Sequence, residues 1–120
     1  MTDCIIIGGG IIGMLTARYL HQAGRKVTII EKSDTGKESS WAGGGIVSPL
    51  YPWRYADSIT HLASWGQAHY KALTDELFEN TGIDPEYTTN GLLILSPDEN
   101  AQALSWADKF SRELQIIQPD

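Results

Sequence analysis

Residues 4–13 read Cys-Ile-Ile-Ile-Gly-Gly-Gly-Ile-Ile-Gly, and this stretch decides the fold. Its first half, Cys4 to Gly8, is a continuous apolar run ending in glycine. Such a run suits a parallel strand buried on both faces. Its second half sets Gly8, Gly10 and Gly13 in the pattern G-x-G-x-x-G. Gly8 would permit a tight turn off the strand. Gly10 would leave room for a pyrophosphate to approach the backbone, and Gly13 would let a following helix pack close to the sheet. The pattern alone is weak, because glycine-rich turns are common. Its weight comes from standing between a predicted strand and a predicted helix.

The flanking sequence supplies that context. Residues 11–23 are predicted as a helix, with Ile12, Leu15, Tyr19 and Leu20 spaced for burial of one side and Ala17 small enough for close packing. Gly24 stands where a helix C-terminal glycine belongs. Residues 27–31, Val-Thr-Ile-Ile-Glu, read as a second buried strand. Strand, helix and strand make one βαβ unit. The helix start, at Ile11 and Ile12, offers unpaired N–H groups and a positive dipole end to phosphates. Glu31 ends the second strand, 18 positions after Gly13. An acidic residue there bonds ribose hydroxyls and disfavours a 2′-phosphate, which argues against NADP. Lys32 lies either near the adenosine or in solvent. These features do not choose between FAD and NAD.

Farther along, residues 33–48 are rich in Ser and Gly and read as a long loop, which Pro49 and Pro52 extend. Residues 57–80 are predicted as a helix, from Ile59, Leu62, Ala63, Gly66, Tyr70, Leu73 and Leu77, with Gly82 and Pro85 as its stop. Residues 88–96 read as a strand. Residues 98–117 read as a last helix, with Ala101, Leu104, Ala107, Phe110, Leu114 and Ile117 on one side.

Composition narrows the function classes. The 120 residues suffice for one small domain, and 42% hydrophobic with 20% charged residues is ordinary for a globular protein. A net charge of -6 without a basic run speaks against nucleic acid or an anionic membrane as partner. The apolar run from Cys4 to Leu15 is too short for a membrane span and lacks the lead of a signal peptide, so a cytoplasmic protein is expected. The single cysteine, Cys4, agrees with a reducing compartment and reads as a buried strand residue.

Three runs together resemble the D-amino-acid oxidase family of FAD-dependent enzymes. They are residues 5–13, the Glu-Lys-Ser of 31–33, and Ser-Ser-Trp-Ala-Gly-Gly-Gly-Ile-Val at 39–47. Ser-Pro-Leu-Tyr-Pro-Trp-Arg-Tyr (48–55) and Asn-Gly-Leu-Leu-Ile-Leu (90–95) extend the resemblance over essentially the whole chain, toward the glycine-oxidising branch tied to thiamine biosynthesis. The resemblance implies FAD as cofactor. It places Ser39 and Ser40 against the FAD phosphates or ribityl chain, and Gly44, Gly45 and Ile46 along the isoalloxazine ring. Several relatives carry alanines where this chain has Gly43 and Gly44. The implied reaction oxidises a small amine or amino acid to an imine, with release of hydrogen peroxide. The family's substrate-clamping arginine and tyrosine come from later sequence, so no catalytic side chain is nominated here.

The expected fold is therefore α/β: an incomplete Rossmann-like βαβ dinucleotide-binding unit with the start of a substrate-domain strand. Residues 1–87 are assigned to the FAD-binding domain and 88–120 to the beginning of the substrate domain. The chain is expected to stop short of a complete enzyme, to be inactive alone and to self-associate through unfinished sheet edges. The alternatives are a non-catalytic nucleotide-binding or self-associating module, or a fragment of an NAD-dependent dehydrogenase. Arg54 reads as solvated or paired with Asp57. His61 and His69 lie too far apart for one metal site, and no metal is assigned. Trp53, Trp65 and Trp106 read as packing residues.

Overall fold

The structure, a computed structural model, describes residues 1–95 and 97–117. It divides into two compact units, Met1–Ile46 and Val47–Asp120. The first holds strand β1 (Cys4–Ile7), helix α1 (Ile11–Gln22), strand β2 (Val27–Ile30) and the one-turn helix α2 (Ser39–Ala42). The second holds the long helix α3 (Asp57–Thr81) and helix α4 (Asn100–Lys109), with single 3-10 turns at Pro52–Arg54 and Pro97–Glu99.

β1 and β2 pair in parallel, with Cys4 opposite Val27 and Ile7 opposite Ile30. The Gly8 N–H extends the ladder by donating to the Ile30 carbonyl at 2.8 Å. α1 is the crossover, so the predicted βαβ unit is present. This is an α/β, Rossmann-like unit with a sheet of two strands. α1 closes as the glycine signal implied. Gly24 sits at φ +78, its N–H donates to His21 O, and Arg25 N–H donates to Leu20 O. This pair of bonds is the Schellman arrangement.

The burial of this unit departs from the sequence reading. Ile5 and Ile7 are 64% and 87% exposed, so β1 is not covered on both faces. Within the chain α1 packs on β1 and β2. No second layer within 1–46 covers the other face. Cys4 is half-buried. Of the apolar positions expected to face inward on α1, Leu15 and Leu20 are half-buried, whereas Ile12 and Tyr19 are exposed. Gly13, Met14, Ala17 and Arg18 are half-buried with Leu15 and Leu20, and the small Gly13 and Ala17 let the helix axis approach the sheet.

In the second unit α3 matches its predicted span within a residue, and Gly82 ends it at φ +69. Ala63, Gly66, Tyr70, Leu73 and Leu77 are half-buried as expected, but Ile59 and Leu62 are exposed. The buried residues are Pro52, Thr60, Ala103 and Ala107, among those described. Two expectations fail here. Residues 88–95 form no strand, because a strand exists only by pairing and they have no ladder partner among the described residues; Ser96 lies outside those residues. The last helix stops at Lys109 rather than 117. Ser111 takes a left-handed φ of 51, and Ser111 and Arg112 N–H groups close on Asp108 and Ala107 carbonyls. This is the same stop as in α1, with serine where glycine is usual. Gln118 to Asp120 fall outside the described residues.

Candidate functional site

The site is the turn between β1 and α1. Gly8 leaves the strand at φ +102, a conformation that side-chain-bearing residues rarely adopt. Gly13 is held by close packing: a Cβ added there would lie 2.0 Å from the Gly8 carbonyl oxygen. The role assigned to Gly13 from sequence is thus visible in the backbone itself.

Glu31 follows β2 directly, at the same end of the sheet as this turn. Its Oε2 accepts the Gly9 N–H at 2.6 Å. Its Oε1 accepts the N–H groups of Lys32 at 2.7 Å and Ser33 at 3.1 Å. The Gly9 bond is the largest influence holding the Glu31 carboxyl below its ordinary pKa, followed by Ser33; partial burial opposes them, and Lys32 adds a smaller lowering. Gly9 is the residue that the sequence reading passed over. It is the one buried residue of 1–46, and its carbonyl accepts the Gly36 N–H at 2.9 Å. An added Cβ would meet Thr35 Cγ2 at 3.1 Å and Glu31 Oε2 at 3.2 Å. The signal was its place at the centre of Gly-Gly-Gly, where only the first and third glycines belong to the pattern.

The loop expected over 33–48 contains α2, and α2 reaches the turn. Ile11 N–H donates to Ser40 Oγ at 2.8 Å. A Cβ on Gly10 would come 3.0 Å from that same oxygen. Among the described residues the Ile12 and Gly13 N–H groups meet no acceptor, as expected for the first turn of a helix. Gly8, Gly10, Ile11, Gly13, Glu31 and Ser40 are therefore gathered in one place, with Ile12 beside them. Lys32 turns to Glu38, its ammonium 2.8 Å from the carboxylate. Ser39 opens α2. Gly44, Gly45 and Ile46 follow it, and no hydrogen bond ties them to the glycine turn among the described residues. Added Cβ atoms at Gly44 and Gly45 meet nothing within 4 Å, and one at Gly43 makes only ordinary contacts at 3.6 Å. Alanines would therefore have room at 43 and 44.

The residues set aside from sequence behave differently from one another. Arg54 is paired, but with Glu99 rather than Asp57; the guanidinium Nε lies 2.9 Å from Glu99 Oε2, and the Tyr51 ring stacks beneath it at 3.9 Å. Trp53 Nε1 donates to the same carboxylate. Asp57 is held by Lys109 at 2.6 Å. Trp106 Nε1 donates to the buried Thr60 Oγ1 at 3.2 Å. Trp65 is 62% exposed and stacks on His69, so it is not a core residue. His61 meets the edge of Phe110. No group of side chains suited to a metal ion occurs among the described residues, and no described helix is long and apolar enough to cross a membrane.

The family described as FAD dependent oxidoreductase matches residues 3–120. A glycine oxidase of Pseudomonas aeruginosa is 52% identical over 113 residues, which are 94% of this chain and 31% of that protein. A glycine oxidase of Pseudomonas putida is 49% identical over the same shares. The crystal structure of glycine oxidase from Bacillus cereus superimposes with a TM-score of 0.74 at 32% identity, covering 92% of this chain and 30% of that one. The chain thus spans about a third of the length of the relatives it matches. With its glycine turn, acidic strand end and family match in agreement, the chain belongs to the FAD dependent oxidoreductase family.

Proposed function

We propose that this chain is the N-terminal FAD-binding segment of an enzyme that oxidises glycine, or another small amine or D-amino acid, to an imine with release of hydrogen peroxide. The observation that carries the reading is the gathered turn, in which Gly8, Gly10 and Gly13 stand beside Glu31 and an open helix start. In function, residues 1–87 are assigned to the FAD-binding domain and 88–120 to the beginning of the substrate domain.

The residues present fit an ADP moiety. The free N–H groups of Ile12 and Gly13 point a positive helix end outward, suited to phosphate oxygens. Gly8 leaves the backbone bare for close approach, and at Gly10 the place of a Cβ is taken by the Ser40 hydroxyl. The Glu31 carboxylate has about four acceptor positions, and three N–H groups occupy it. Oε2 keeps room for one more donor, so one ribose hydroxyl is the proposed partner. Lys32 would lie at the adenosine side. Ser39 and Ser40 would face the phosphates or ribityl chain. Gly44 and Gly45, open on the side where a Cβ would stand, would lie along the flavin ring with Ile46. The chemistry supplied by bound FAD is acceptance of two electrons from the substrate C–N unit, which dioxygen then takes to give peroxide. This chain binds and orients; no side chain in it is assigned a catalytic role.

The test is peroxide release by the complete protein carrying this chain, supplied with glycine, sarcosine and D-alanine. Saturable turnover on at least one is expected. Flavin-free protein without turnover on any of them would overturn the reading.

A further inference from the structure

We propose that Ser40 caps the first N–H of α1 from outside the helix, and that it sets α2 against the glycine turn before any nucleotide binds. The proposal rests on the dinucleotide reading only for what this cap later serves.

A helix start leaves four N–H groups without intrahelical partners. Ser, Thr, Asp or Asn at the N-cap position usually satisfies one of them. At that position α1 has Gly10, which has no side chain to offer. Another of the four, the Ile11 N–H at the first helical position, is satisfied by Ser40, 29 positions later, whose Oγ accepts it at 2.8 Å. Ser40 is the second residue of α2, so this one bond joins the two helices. A second tie runs alongside it, from Gly36 N–H to the Gly9 carbonyl at 2.9 Å.

The glycine at position 10 then has a reason apart from any ligand. Its φ of -77 and ψ of -177 describe extended backbone that any residue adopts. What excludes a side chain is room, since a Cβ would press on the Ser40 hydroxyl at 3.0 Å. A hydroxyl has one donor and two acceptor positions. The Ile11 N–H fills one acceptor position and leaves the O–H free to donate. The helix start thereby presents the N–H groups of Ile12 and Gly13 together with the O–H of Ser40. Ser40 is a positioning residue: it replaces an N–H by a hydroxyl donor and holds the loop that carries it.

The experiment is amide hydrogen exchange by NMR on the chain without nucleotide, for the wild type, Ser40→Ala, Ser40→Thr and Gly10→Ala. In Ser40→Ala, exchange at Ile11 should rise roughly fivefold or more, the size of a lost cap. Trp41 and Ala42, whose N–H groups close the α2 turn on the Glu38 carbonyl, should follow, while Ile6 and Ile30, whose N–H groups face the partner strand in the ladder, stay protected. Ser40→Thr should restore protection, and Gly10→Ala should show part of the loss. Unchanged protection of Ile11 in Ser40→Ala overturns the proposal, as does a loss that threonine fails to restore. If Ser40→Ala exposes the ladder as well, wild-type protection in Ser40→Thr still supports the cap. Titration with ADP separates the two readings: lost protection in Ser40→Ala with no ADP binding by the wild type would overturn the dinucleotide site and leave the cap standing.

Discussion

The Glu31 carboxylate and the Gly9 N–H meet at 2.6 Å across the open end of the two-stranded sheet. The bond ties the end of β2 to the middle of the turn that leaves β1. It also fixes where the carboxylate stands, because Oε1 is held at the same time by Lys32 and Ser33 N–H groups. The acidic side chain is thus held in one orientation, and it braces the glycine turn.

That brace should be sensitive to acid. Glu31 is held below its ordinary pKa of 4.5, first by the Gly9 N–H. A depressed carboxylate contributes stability above its unfolded value, and loses it as pH falls through the lowered folded value. Unfolding midpoints of the wild type should therefore drop more steeply below pH 4.5 than those of Glu31→Gln. The difference should be small, since the group is partly exposed. Parallel acid limbs for the two proteins would remove Glu31 from this role.

Glu31→Ala should also weaken nucleotide binding by the complete protein. A factor of roughly ten to a hundred is expected for a lost charge-assisted hydrogen bond. Calorimetric titration with FAD measures it, and an unchanged affinity would place the ribose elsewhere.

Two glycine-to-alanine changes should move stability in opposite directions. At Gly13 the new Cβ would sit 2.0 Å from a backbone oxygen, which forces α1 off β1. A loss of about 1–3 kcal/mol or more is expected. At Gly66, inside α3, nothing lies within 4 Å of the new Cβ. Alanine should gain about 0.5–1 kcal/mol there, from reduced backbone freedom in the unfolded chain. Urea denaturation of the two variants checks both signs.

The βαβ unit and α3 were legible because their signals are local. An apolar run, a glycine turn, a helical repeat and a terminal glycine are all read within a few residues. The parts missed depend on distant partners. Residues 88–95 have strand-like composition, but pairing decides a strand. α2 is a single turn, too short to show a period. α4 ends at a left-handed Ser111, where the sequence lacks the usual glycine. Arg54 found Glu99, 45 positions away, instead of its neighbour Asp57. In the site, the pattern named Gly8, Gly10 and Gly13 but not Gly9, since Gly9 acts through its N–H and lack of Cβ rather than through the motif.

Thr60 is 4% exposed and accepts the Trp106 indole N–H. Thr60→Val keeps the shape and removes the acceptor. It should cost about 1–3 kcal/mol, the penalty of an unsatisfied buried donor. Thermal unfolding and the Trp106 indole proton shift report it. Stability within error of the wild type would mean that the indole finds another partner.

The chain alone should release no peroxide with glycine, sarcosine or D-alanine in the presence of FAD. Ile5, Ile7 and Ile30 are more than half exposed, and such uncovered strands favour association. Light scattering should show mass rising with concentration. A monomer with saturable turnover would contradict both expectations.

The most direct measurement of the central claim is the visible absorption spectrum of the complete protein carrying this chain, before and after glycine is added without air. Oxidised-flavin bands that bleach on adding glycine and return with air are the predicted result, and their absence in Gly10→Val, whose side chain would press on Ser40 Oγ in the turn, is predicted with it. A colourless protein, or flavin bands that Gly10→Val leaves intact, would contradict the account.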